Sequence, residues 1–378
     1  MKKIIFNAES ISEPLSGIGR YAYELATFFH NDKDFQVVYD HRVLLSKKFP
    51  QIKKTISLIK RIPILKFIIY LLFLIFRKIN FKNIYLNAAC KNFDFYFGPN
   101  YYVPKIGLIK KIVTIHDLSV FKFTKYHPLL RVKVVSNDIL NSISSADLIF
   151  TDSKYTKMEI IDFFNLKDKK IVVAPAASKD IFMKYPKDVC NIFLNSEKLS
   201  YKGYILSVGT IEPRKNLNTL FDAYINLKPS LKKRYPLVIA GFSGWNNKDI
   251  SKKIEKLIKE KSLIFLSNLA DSELASLYAG AKLFVFPSIY EGFGLPILES
   301  MSSGTATICS NCTSMPEIIN NPSYTFDPYN SPQINKLMSD LLSNEKLLKK
   351  NESEVYQRSK KYSWEKTYKI IKSEMMKL

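Results

Sequence analysis

Short apolar runs alternate along the chain with stretches in which apolar residues recur every three or four positions. Residues 281–287 form an almost continuously apolar run, which is typical of a strand buried on both faces. Apolar side chains then follow helical spacing over 216–227 and predict a helix there. This alternation continues over nearly the whole length, so the sequence predicts an α/β protein built from doubly wound parallel sheets.

Two glycines and two carboxylates follow the apolar run closely. Gly292 and Gly294 indicate a turn, and a helix is predicted over 295–303. The backbone N–H groups of such a turn and the positive end of a helix dipole together favour a phosphate. Glu291 and Glu299 flank the turn, and carboxylates accept hydrogen bonds from sugar hydroxyls. The segment predicts a site for a nucleotide sugar; the alternative is a pair of surface glutamates beside an ordinary turn.

A second predicted strand and glycine turn precede the helix over 216–227. Gly209 ends this strand, and Arg214 and Lys215 lie on the loop that follows it. Ligands of open parallel sheets bind at this carboxyl edge, where two cations would stabilise the negative charge that grows on a leaving diphosphate. The alternative is a solvated Arg–Lys pair of the kind that is common in lysine-rich chains.

Together the two segments resemble the C-terminal domain of retaining glycosyltransferases with the GT-B fold, specifically glycosyltransferase family 4. The resemblance rests on the patterns G-T-I-E-P-R-K-N from Gly209 and E-G-F-G-L-P-I-L-E-S-M from Glu291. It implies two Rossmann-like domains that face a central cleft. It also implies that Arg214 and Lys215 hold the donor diphosphate, that Glu291 lies against the donor sugar and that Glu299 binds the ribose hydroxyls. The donor site implied by the resemblance also includes Gly209, Gly292, Phe293, Gly294 and Leu295.

The N-terminal half carries weaker matches to the same family. Gly17 and Gly19 open a predicted helix, and the loop G-I-G-R-Y resembles the loop that faces the donor phosphates and the acceptor. Residues 112–118 resemble the strand that ends in His-Asp, which implies that His116 contacts the donor sugar near the reacting carbon. The alternatives are a tight connection at the glycines and a strand-end histidine that is hydrogen-bonded to Asp117.

The length of 378 residues favours two domains. A polar stretch without a long periodic run separates the two sets of strands and helices. We therefore predict an N-terminal, acceptor-side Rossmann-like domain over 1–180, a hinge over 181–202 and a nucleotide-sugar-binding Rossmann-like domain over 203–360. Residues 361–378 resemble the last helix of the family, which crosses back to the first domain.

The chain is strongly basic, with 57 Lys and Arg against 34 Asp and Glu and a formal net charge of +23. The lysines are spread along the sequence and no nucleic-acid motif accompanies them, so no nucleic-acid partner is expected. An anionic membrane surface is the better candidate, because residues 62–76 are almost entirely apolar and basic residues flank them. As a helix this segment would reach roughly 22 Å, short of the ~30 Å hydrocarbon core. A buried core helix is the alternative.

The first residues pass directly from Met1-Lys2-Lys3 into a predicted strand and show no secretory signal. The cysteines number only 4, which fits a reducing compartment. We therefore expect a cytoplasmic location, with peripheral attachment to the inner face of the cytoplasmic membrane if residues 62–76 insert.

No cofactor and no metal ion are expected in the reaction. The one D-x-D match, Asp32-Lys33-Asp34, lies in a polar turn after the first predicted helix and is interpreted as a solvated turn. The leaving diphosphate would then be neutralised by Arg214, Lys215 and the helix N-termini. The family resemblance further implies retention of configuration at the anomeric carbon.

The G-T-I-E-P-R-K-N pattern looks most like that of bacterial mannosyltransferases of surface-polysaccharide assembly, including that of O-antigen. GDP-mannose is therefore the predicted donor, and a glycan carried by a polyprenyl diphosphate is the predicted acceptor. A UDP-hexose or a deoxysugar donor is the first alternative. A non-catalytic basic protein that binds membranes or nucleic acid is the alternative from another class.

Overall fold

Two parallel sheets organise the part of the chain that the structure describes. The computed structural model describes residues 1–12, 17–41, 44–51, 86–87, 89–107, 109–166, 170–242 and 248–378. Within these ranges no helix combines the length and apolarity that a membrane crossing requires. The apolar segment at 62–76, on which the membrane prediction rests, lies outside the described residues.

The first sheet comes from the N-terminal half of the chain. Its strands are β1 (Lys2–Asn7), β2 (Phe35–Asp40), β3 (Leu45–Ser46), β4 (Phe95–Gly98), β5 (Lys110–Thr114), β6 (Leu148–Thr151) and β7 (Ile171–Val173). They lie in the order β3-β2-β1-β4-β5-β6-β7, and all neighbours run parallel except the short edge strand β3. The order reverses between β1 and β4, which places a crevice at their carboxyl ends.

The second sheet repeats this plan in the C-terminal half. Its strands are β8 (Ile205–Val208), β9 (Leu237–Ala240), β10 (Leu263–Leu266), β11 (Leu283–Phe286), β12 (Ala306–Ser310) and β13 (Thr325–Phe326). They lie in the order β10-β9-β8-β11-β12-β13 and are all parallel. Here the order reverses between β8 and β11, the two strands that lead into the motifs singled out from the sequence.

Helices connect the strands in both halves, as the alternating pattern predicts. The first half contains α1 (Gly17–Asn31), α2 (Ser119–Lys122), α3 (Leu129–Ser145) and α4 (Lys154–Phe164). The second half contains α5 (Lys187–Leu194), α6 (Leu217–Ile225), α7 (Pro229–Arg234), α8 (Lys248–Lys259), α9 (Asp271–Gly280), α10 (Leu295–Ser302), α11 (Met315–Ile319), α12 (Ser331–Ser343), α13 (Glu345–Ser359) and α14 (Trp364–Met375).

Strand β11 shows why its sequence is continuously apolar. Leu283, Phe284 and Val285 are all fully buried, although successive side chains point to opposite faces of the sheet. Lys282 is the one charged residue beside the strand, and its Nζ atom lies 2.7 Å from Oε2 of Glu345. Burial of each large apolar side chain contributes about 1.5–3 kcal/mol, so this strand anchors the loop that follows it.

A short helix lies inside the stretch predicted as a hinge. Helix α5 buries Cys190 and Leu194, and the Leu194 side chain lies against Gly280 at the end of α9. This helix therefore packs on the second half of the chain. The boundaries drawn at 180, 202 and 360 stay a prediction.

The last helix, α14, packs on the first helix of the chain. The ring of Tyr368 stacks on Phe28 with centroids 5.3 Å apart. The Nζ atom of Lys372 lies 2.6 Å from carboxylate oxygens of both Asp32 and Asp34. The D-x-D match does lie in a turn with Asp34 exposed, as predicted, but an ion pair with a distant helix also holds both carboxylates.

Candidate active site

Two loops meet at the carboxyl ends of β8 and β11. The loop after β8 contains the 3-10 helix Pro213–Lys215, and the loop after β11 contains the glycine turn before α10. Asn216 joins them, because its side-chain amide donates to the carbonyls of Pro287 at 3.1 Å and Pro328 at 2.7 Å. Its left-handed φ of 54° is one that asparagine tolerates better than most residues, and it directs the chain into α6.

The guanidinium of Arg214 lies between two buried glutamates. Its Nη2 atom is 2.7 Å from Oε1 of Glu212, and its Nη1 atom is 2.9 Å from Oε2 of Glu291. Nη1 also donates to the carbonyl of Tyr290 at 2.5 Å. Burial lowers the pKa of Arg214, but the two carboxylates outweigh burial and raise it above its ordinary value. Arg214 is therefore a permanent cation in a largely desolvated site.

Glu291 is the shared counter-ion of the two cations. Its Oε1 atom lies 2.6 Å from Nζ of Lys215 and accepts a hydrogen bond from Oγ of Ser288, also at 2.6 Å. Burial alone would raise the pKa of Glu291, but Arg214 and Lys215 lower it to about 2. The carboxylate is consequently ionised near neutral pH.

The stem of Lys215 crosses the end of strand β8. A Cβ atom placed on Gly209 would lie 3.4 Å from Cε of Lys215, and the Nζ atom lies 5.0 Å from the ring centroid of Phe286. Gly209 and Phe286 therefore form the floor of the site. The charged end of Lys215 projects beyond that floor to Glu291.

The glycine turn after β11 fits tightly against the first half of the chain. A Cβ atom on Gly292 would lie only 1.8 Å from the carbonyl oxygen of His116, so no other residue fits there without moving backbone. Gly294 has a φ of 118°, a conformation that side chains disfavour. The Oγ atom of Ser314 lies within hydrogen-bonding distance of the carbonyls of Glu291 at 2.9 Å and Phe293 at 2.7 Å. The turn is thus fixed from both sides.

The first turns of α10 and α1 approach each other at this point. Leu295 is the first residue of α10, and a Cβ atom on Gly17 would lie 3.4 Å from its Cδ1 atom. Gly19 is buried in the first turn of α1. The glycines predicted from the N-terminal half therefore lie beside those of the second sheet, although more than 250 residues separate them in sequence.

Glu299 lies in α10, in an environment unlike that of Glu291. It is buried, and its Oε2 atom accepts a hydrogen bond from the hydroxyl of Tyr278 at 2.9 Å. Burial raises the pKa of Glu299, and the charge of nearby Arg20 only partly offsets that effect. The two predicted carboxylates thus have opposite pKa shifts.

Arg20 and Lys179 bring two further cations to this region. Both bind Asp271, the first residue of α9: Arg20 through Nη2, and Lys179 through Nζ at 2.8 Å. The Nη1 atom of Arg20 is buried and has no hydrogen-bond partner among the described residues. Arg20 belongs to the G-I-G-R-Y loop quoted from the sequence, but none of these three residues was predicted as a site residue.

His116 is held by acceptors on both ring nitrogens. Its Nδ1 atom lies 2.6 Å from Oδ2 of Asp152, and its Nε2 atom lies 2.8 Å from the carbonyl of Pro99. Nε2 must carry hydrogen because a carbonyl only accepts, and an ionised Asp152 requires hydrogen on Nδ1 as well, so the arrangement favours the imidazolium. Burial lowers the pKa of His116, but the charge of Asp152 and these hydrogen bonds outweigh burial and raise it above 6.5. The alternative partner suggested from the sequence, Asp117, is wrong.

Comparison with known proteins shows which family has a similar sequence. Residues 192–358 match the family described as "Glycosyl transferases group 1". The chain is also 34% identical over 376 residues to O-antigen chain mannosyltransferase B of Escherichia coli, and the match covers 96% of each protein. The chain belongs to this glycosyltransferase family.

A second relative and a solved structure are also similar, the latter in fold. The glycosyltransferase is 27% identical over 263 residues to the N-acetylgalactosamine-N,N'-diacetylbacillosaminyl-diphospho-undecaprenol 4-alpha-N-acetylgalactosaminyltransferase of Campylobacter jejuni, covering 66% of this chain and 64% of that protein. Its fold matches the crystal structure of Anabaena Alr3699/HepE in complex with UDP over 100% of both chains, with a TM-score of 0.73 and 13% identity. The predicted GT-B fold and glycosyltransferase activity are therefore confirmed.

Several site residues of the glycosyltransferase escaped the sequence reasoning. Glu212 stands inside the quoted G-T-I-E-P-R-K-N pattern, where its acidic side chain beside Arg214 was a usable signal. The sequence around Asp152 does not indicate its role, because its partner His116 lies 36 positions away. Within the described ranges, no three His, Cys, Asp or Glu side chains cluster as a metal site would require.

Proposed function

We propose that this glycosyltransferase transfers a mannosyl group from GDP-mannose to a growing, polyprenyl-diphosphate-linked surface glycan, with retention and without a metal ion. The observation that carries the proposal is the cluster of the largely buried cations Arg214 and Lys215 with buried Glu291, between β8 and β11. Support for mannose comes from the relative named O-antigen chain mannosyltransferase B. Support for the carrier comes from the relative whose name contains diphospho-undecaprenol.

Donor binding would rearrange the ion pairs of the cluster. A diphosphate offers more negative charge and more acceptor oxygens than one carboxylate, so Arg214 and Lys215 would turn from Glu291 to the diphosphate. The N–H groups of Phe293, Gly294 and Leu295 and the positive end of α10 would add to this cradle. Glu291 would then be free to accept hydrogen bonds from the sugar hydroxyls.

The remaining predicted residues would surround the donor from both halves of the chain. Glu299 is proposed to bind the ribose hydroxyls. The backbone at Gly17 and Gly19 would approach the diphosphate from the first domain. His116 would border the donor sugar as a positive charge and not as a base, because Asp152 and the carbonyl of Pro99 engage both of its ring nitrogens.

The proposed reaction exchanges one carbon–oxygen bond for another. The bond between the anomeric carbon and the diphosphate breaks, and its electron pair goes to the diphosphate oxygen, where Arg214 and Lys215 stabilise the new charge. The acceptor hydroxyl oxygen bonds to the anomeric carbon on the face from which the diphosphate leaves. Its proton passes to a phosphate oxygen, so no side chain has to act as the base.

A transfer assay with several donors tests this function. Purified enzyme would be incubated in excess chelator with a polyprenyl-diphosphate-linked glycan and GDP-mannose, UDP-hexoses or dTDP-deoxysugars, and NMR would give the configuration of the new linkage. We expect transfer from GDP-mannose in undiminished yield and with retained configuration. Transfer from another donor alone would replace the donor assignment, inversion would overturn the mechanism, and dependence on added metal would overturn the metal-free reaction.

Location is a separate proposal. A polyprenyl-linked acceptor would place the enzyme on the cytoplasmic face of a membrane, where a basic protein is attracted to anionic lipid. Binding to vesicles with and without anionic lipid tests this attachment, and equal, weak binding to both would contradict it.

A further inference from the structure

The hydroxyl of Tyr290 connects the two halves of the chain. It accepts a hydrogen bond from the backbone N–H of Leu118 at 2.9 Å and donates one to Oε2 of Glu159 at 2.5 Å. Tyr290 lies on the loop after β11, whereas Leu118 and Glu159 belong to the first half of the chain. The Tyr290 side chain is 1% exposed, so water cannot easily replace either hydrogen bond.

Glu159 is a buried carboxylate with three partners among the residues that the structure describes. Besides Tyr290, its Oε1 atom accepts from the hydroxyl of Tyr155 at 3.1 Å and lies 2.6 Å from Nζ of Lys122. A buried carboxylate is stable only when such donors surround it. The three contacts also fix its orientation. Because the Leu118 N–H occupies the acceptor side of the Tyr290 hydroxyl, the hydroxyl proton must point to Glu159.

The same face of α4 holds the other end of this loop. The carbonyl oxygen of Gly292 accepts hydrogen bonds from Oγ of Ser153 at 2.7 Å and from Oγ1 of Thr156 at 3.0 Å. Ser153, Thr156 and Glu159 follow one another at intervals of three residues, which aligns them along one side of a helix. Side chains of the first domain therefore hold Tyr290 and Gly292, the residues directly before and after Glu291.

Helix α4 is in turn fixed by the second domain. The carboxylate of Glu317 accepts hydrogen bonds from the backbone N–H groups of Lys154 at 2.9 Å and Tyr155 at 2.6 Å. N–H groups in the first turn of a helix have no acceptor within the helix, so Glu317 satisfies two of them in α4. The helix dipole also favours a negative charge at this position. The second domain thus fixes the position of α4, and it also carries the loop 290–292 that α4 contacts.

We propose that Tyr290 and Glu159 are positioning residues that make turnover depend on closure of the two domains, a role that rests on the proposed function of Glu291. Leu118 lies two positions after His116, and Tyr290 directly precedes Glu291. The Tyr290 hydroxyl therefore connects the segment that contains His116 to the segment that contains Glu291. Arg214 and Lys215 lie in the second domain and bind a diphosphate without this tie, so the tie matters for turnover and not for nucleotide affinity.

The variant Tyr290→Phe tests the proposal, because it removes the hydroxyl and keeps the ring. Its matched control is Tyr324→Phe: the Tyr324 ring is also buried, and its hydroxyl donates to Glu354 at 2.7 Å entirely within the second half of the chain. We expect Tyr290→Phe to lower kcat at least tenfold while the Kd for a nucleoside diphosphate stays within twofold of wild type. We expect Tyr324→Phe to leave both constants within twofold.

Glu159→Gln provides a second variant that keeps the shape of the side chain. We expect it to lower kcat in the same direction, and the double variant Glu159→Gln/Tyr290→Phe to be no slower than Tyr290→Phe alone, because both changes break one connection. If Tyr290→Phe does not fold, Glu159→Gln alone tests the positioning role. In that case an unchanged kcat of Glu159→Gln overturns the proposal.

Three results separate the possible failures. Values of kcat within twofold of wild type for both variants would overturn the positioning role while the proposed function stands. A tenfold weaker Kd in Tyr290→Phe would also overturn it, because the hydroxyl would then serve binding. If the wild type transfers sugar from none of the nucleotide donors, the proposed function fails, and the positioning role fails with it.

Discussion

The ammonium group of Lys215 lies 2.6 Å from a carboxylate oxygen of Glu291, although 76 residues separate the two in sequence. Arg214 binds the other oxygen of the same carboxylate at 2.9 Å. Without a donor, the cations proposed to hold the diphosphate are therefore neutralised by the carboxylate proposed to hold the sugar. The cluster is already largely desolvated, and charges stabilise a transition state most effectively where water is excluded.

Removal of Lys215 should slow the reaction without unfolding the protein. Loss of one such donor typically costs about 2–4 kcal/mol of transition-state stabilisation, so we expect kcat/KM of Lys215→Ala to fall by roughly 30- to 1000-fold. Lys336→Ala is the control, because that lysine forms an exposed pair with Asp340. Equal kinetic constants for the two variants would contradict the assignment.

Removal of Arg214 should also destabilise the fold. Arg214→Ala leaves the carboxylates of Glu212 and Glu291 without their shared partner, and breaking a buried ion pair costs about 3–5 kcal/mol. Denaturant unfolding of Arg214→Ala and Lys215→Ala measures the difference, since Glu291 keeps Arg214 in the second variant. A smaller loss of stability in Arg214→Ala than in Lys215→Ala would show that Glu212 does not depend on Arg214.

The two predicted glutamates should respond in opposite ways to substitution by glutamine. Glu291→Gln removes the anion that competes for Arg214 and Lys215, so we expect a nucleoside diphosphate to bind about tenfold more tightly, or about 1.4 kcal/mol, while turnover falls. Glu299→Gln removes a proposed ribose contact and should weaken binding of the same nucleotide. Calorimetric titration measures both. Weaker binding to Glu291→Gln would mean that this carboxylate does not compete with the donor.

The fold and much of the site follow from local sequence patterns, whereas the contacts between the two halves do not. Apolar runs and helical spacing predict the two sheets, and glycines and prolines mark the loops after β8 and β11. Nothing local shows that Arg20 meets Asp271, 251 residues away, or that the Asp32 carboxylate binds Lys372. Such pairs depend on how the two domains dock, and periodicity within one segment carries no information about docking.

The pair formed by His116 and Asp152 should make stability depend on pH. The folded protein raises the pKa of His116 above 6.5, so the stabilisation is complete below pH 6.5 and is lost as the pH rises through the raised value. Asp152→Asn removes the anion that sustains the charge. We expect wild type to be more stable than this variant by about 3–5 kcal/mol at pH 6.5, and the gap to narrow towards pH 10.

Denaturant unfolding of both proteins across this pH range measures that gap. The Asp152→Asn substitution keeps the size of the side chain, so packing is matched between the two proteins. A gap that stays constant from pH 6.5 to pH 10 would contradict a charged His116.

The contact between Gly292 and His116 should tolerate no side chain. A Cβ atom at position 292 would lie 1.8 Å from a backbone oxygen, so Gly292→Ala must shift the backbone on at least one side of this contact. We expect activity to fall by more than about a hundredfold, since a 1 Å misplacement can have that effect. Gly107→Ala is the control, because its Cβ atom would meet no atom of the described residues within 4 Å. Full activity of Gly292→Ala would show that this contact is not needed.

The most direct test of the account is a calorimetric titration of the wild type and of Lys215→Ala with GDP, UDP, ADP, CMP and dTDP, all in excess chelator. We predict that wild type binds one nucleoside diphosphate selectively, with GDP expected, and that Lys215→Ala binds it at least tenfold more weakly. Lys336→Ala should bind it as the wild type does. Failure of every nucleotide to bind, or equal binding by Lys215→Ala, would contradict a donor diphosphate site built on Arg214, Lys215 and Glu291.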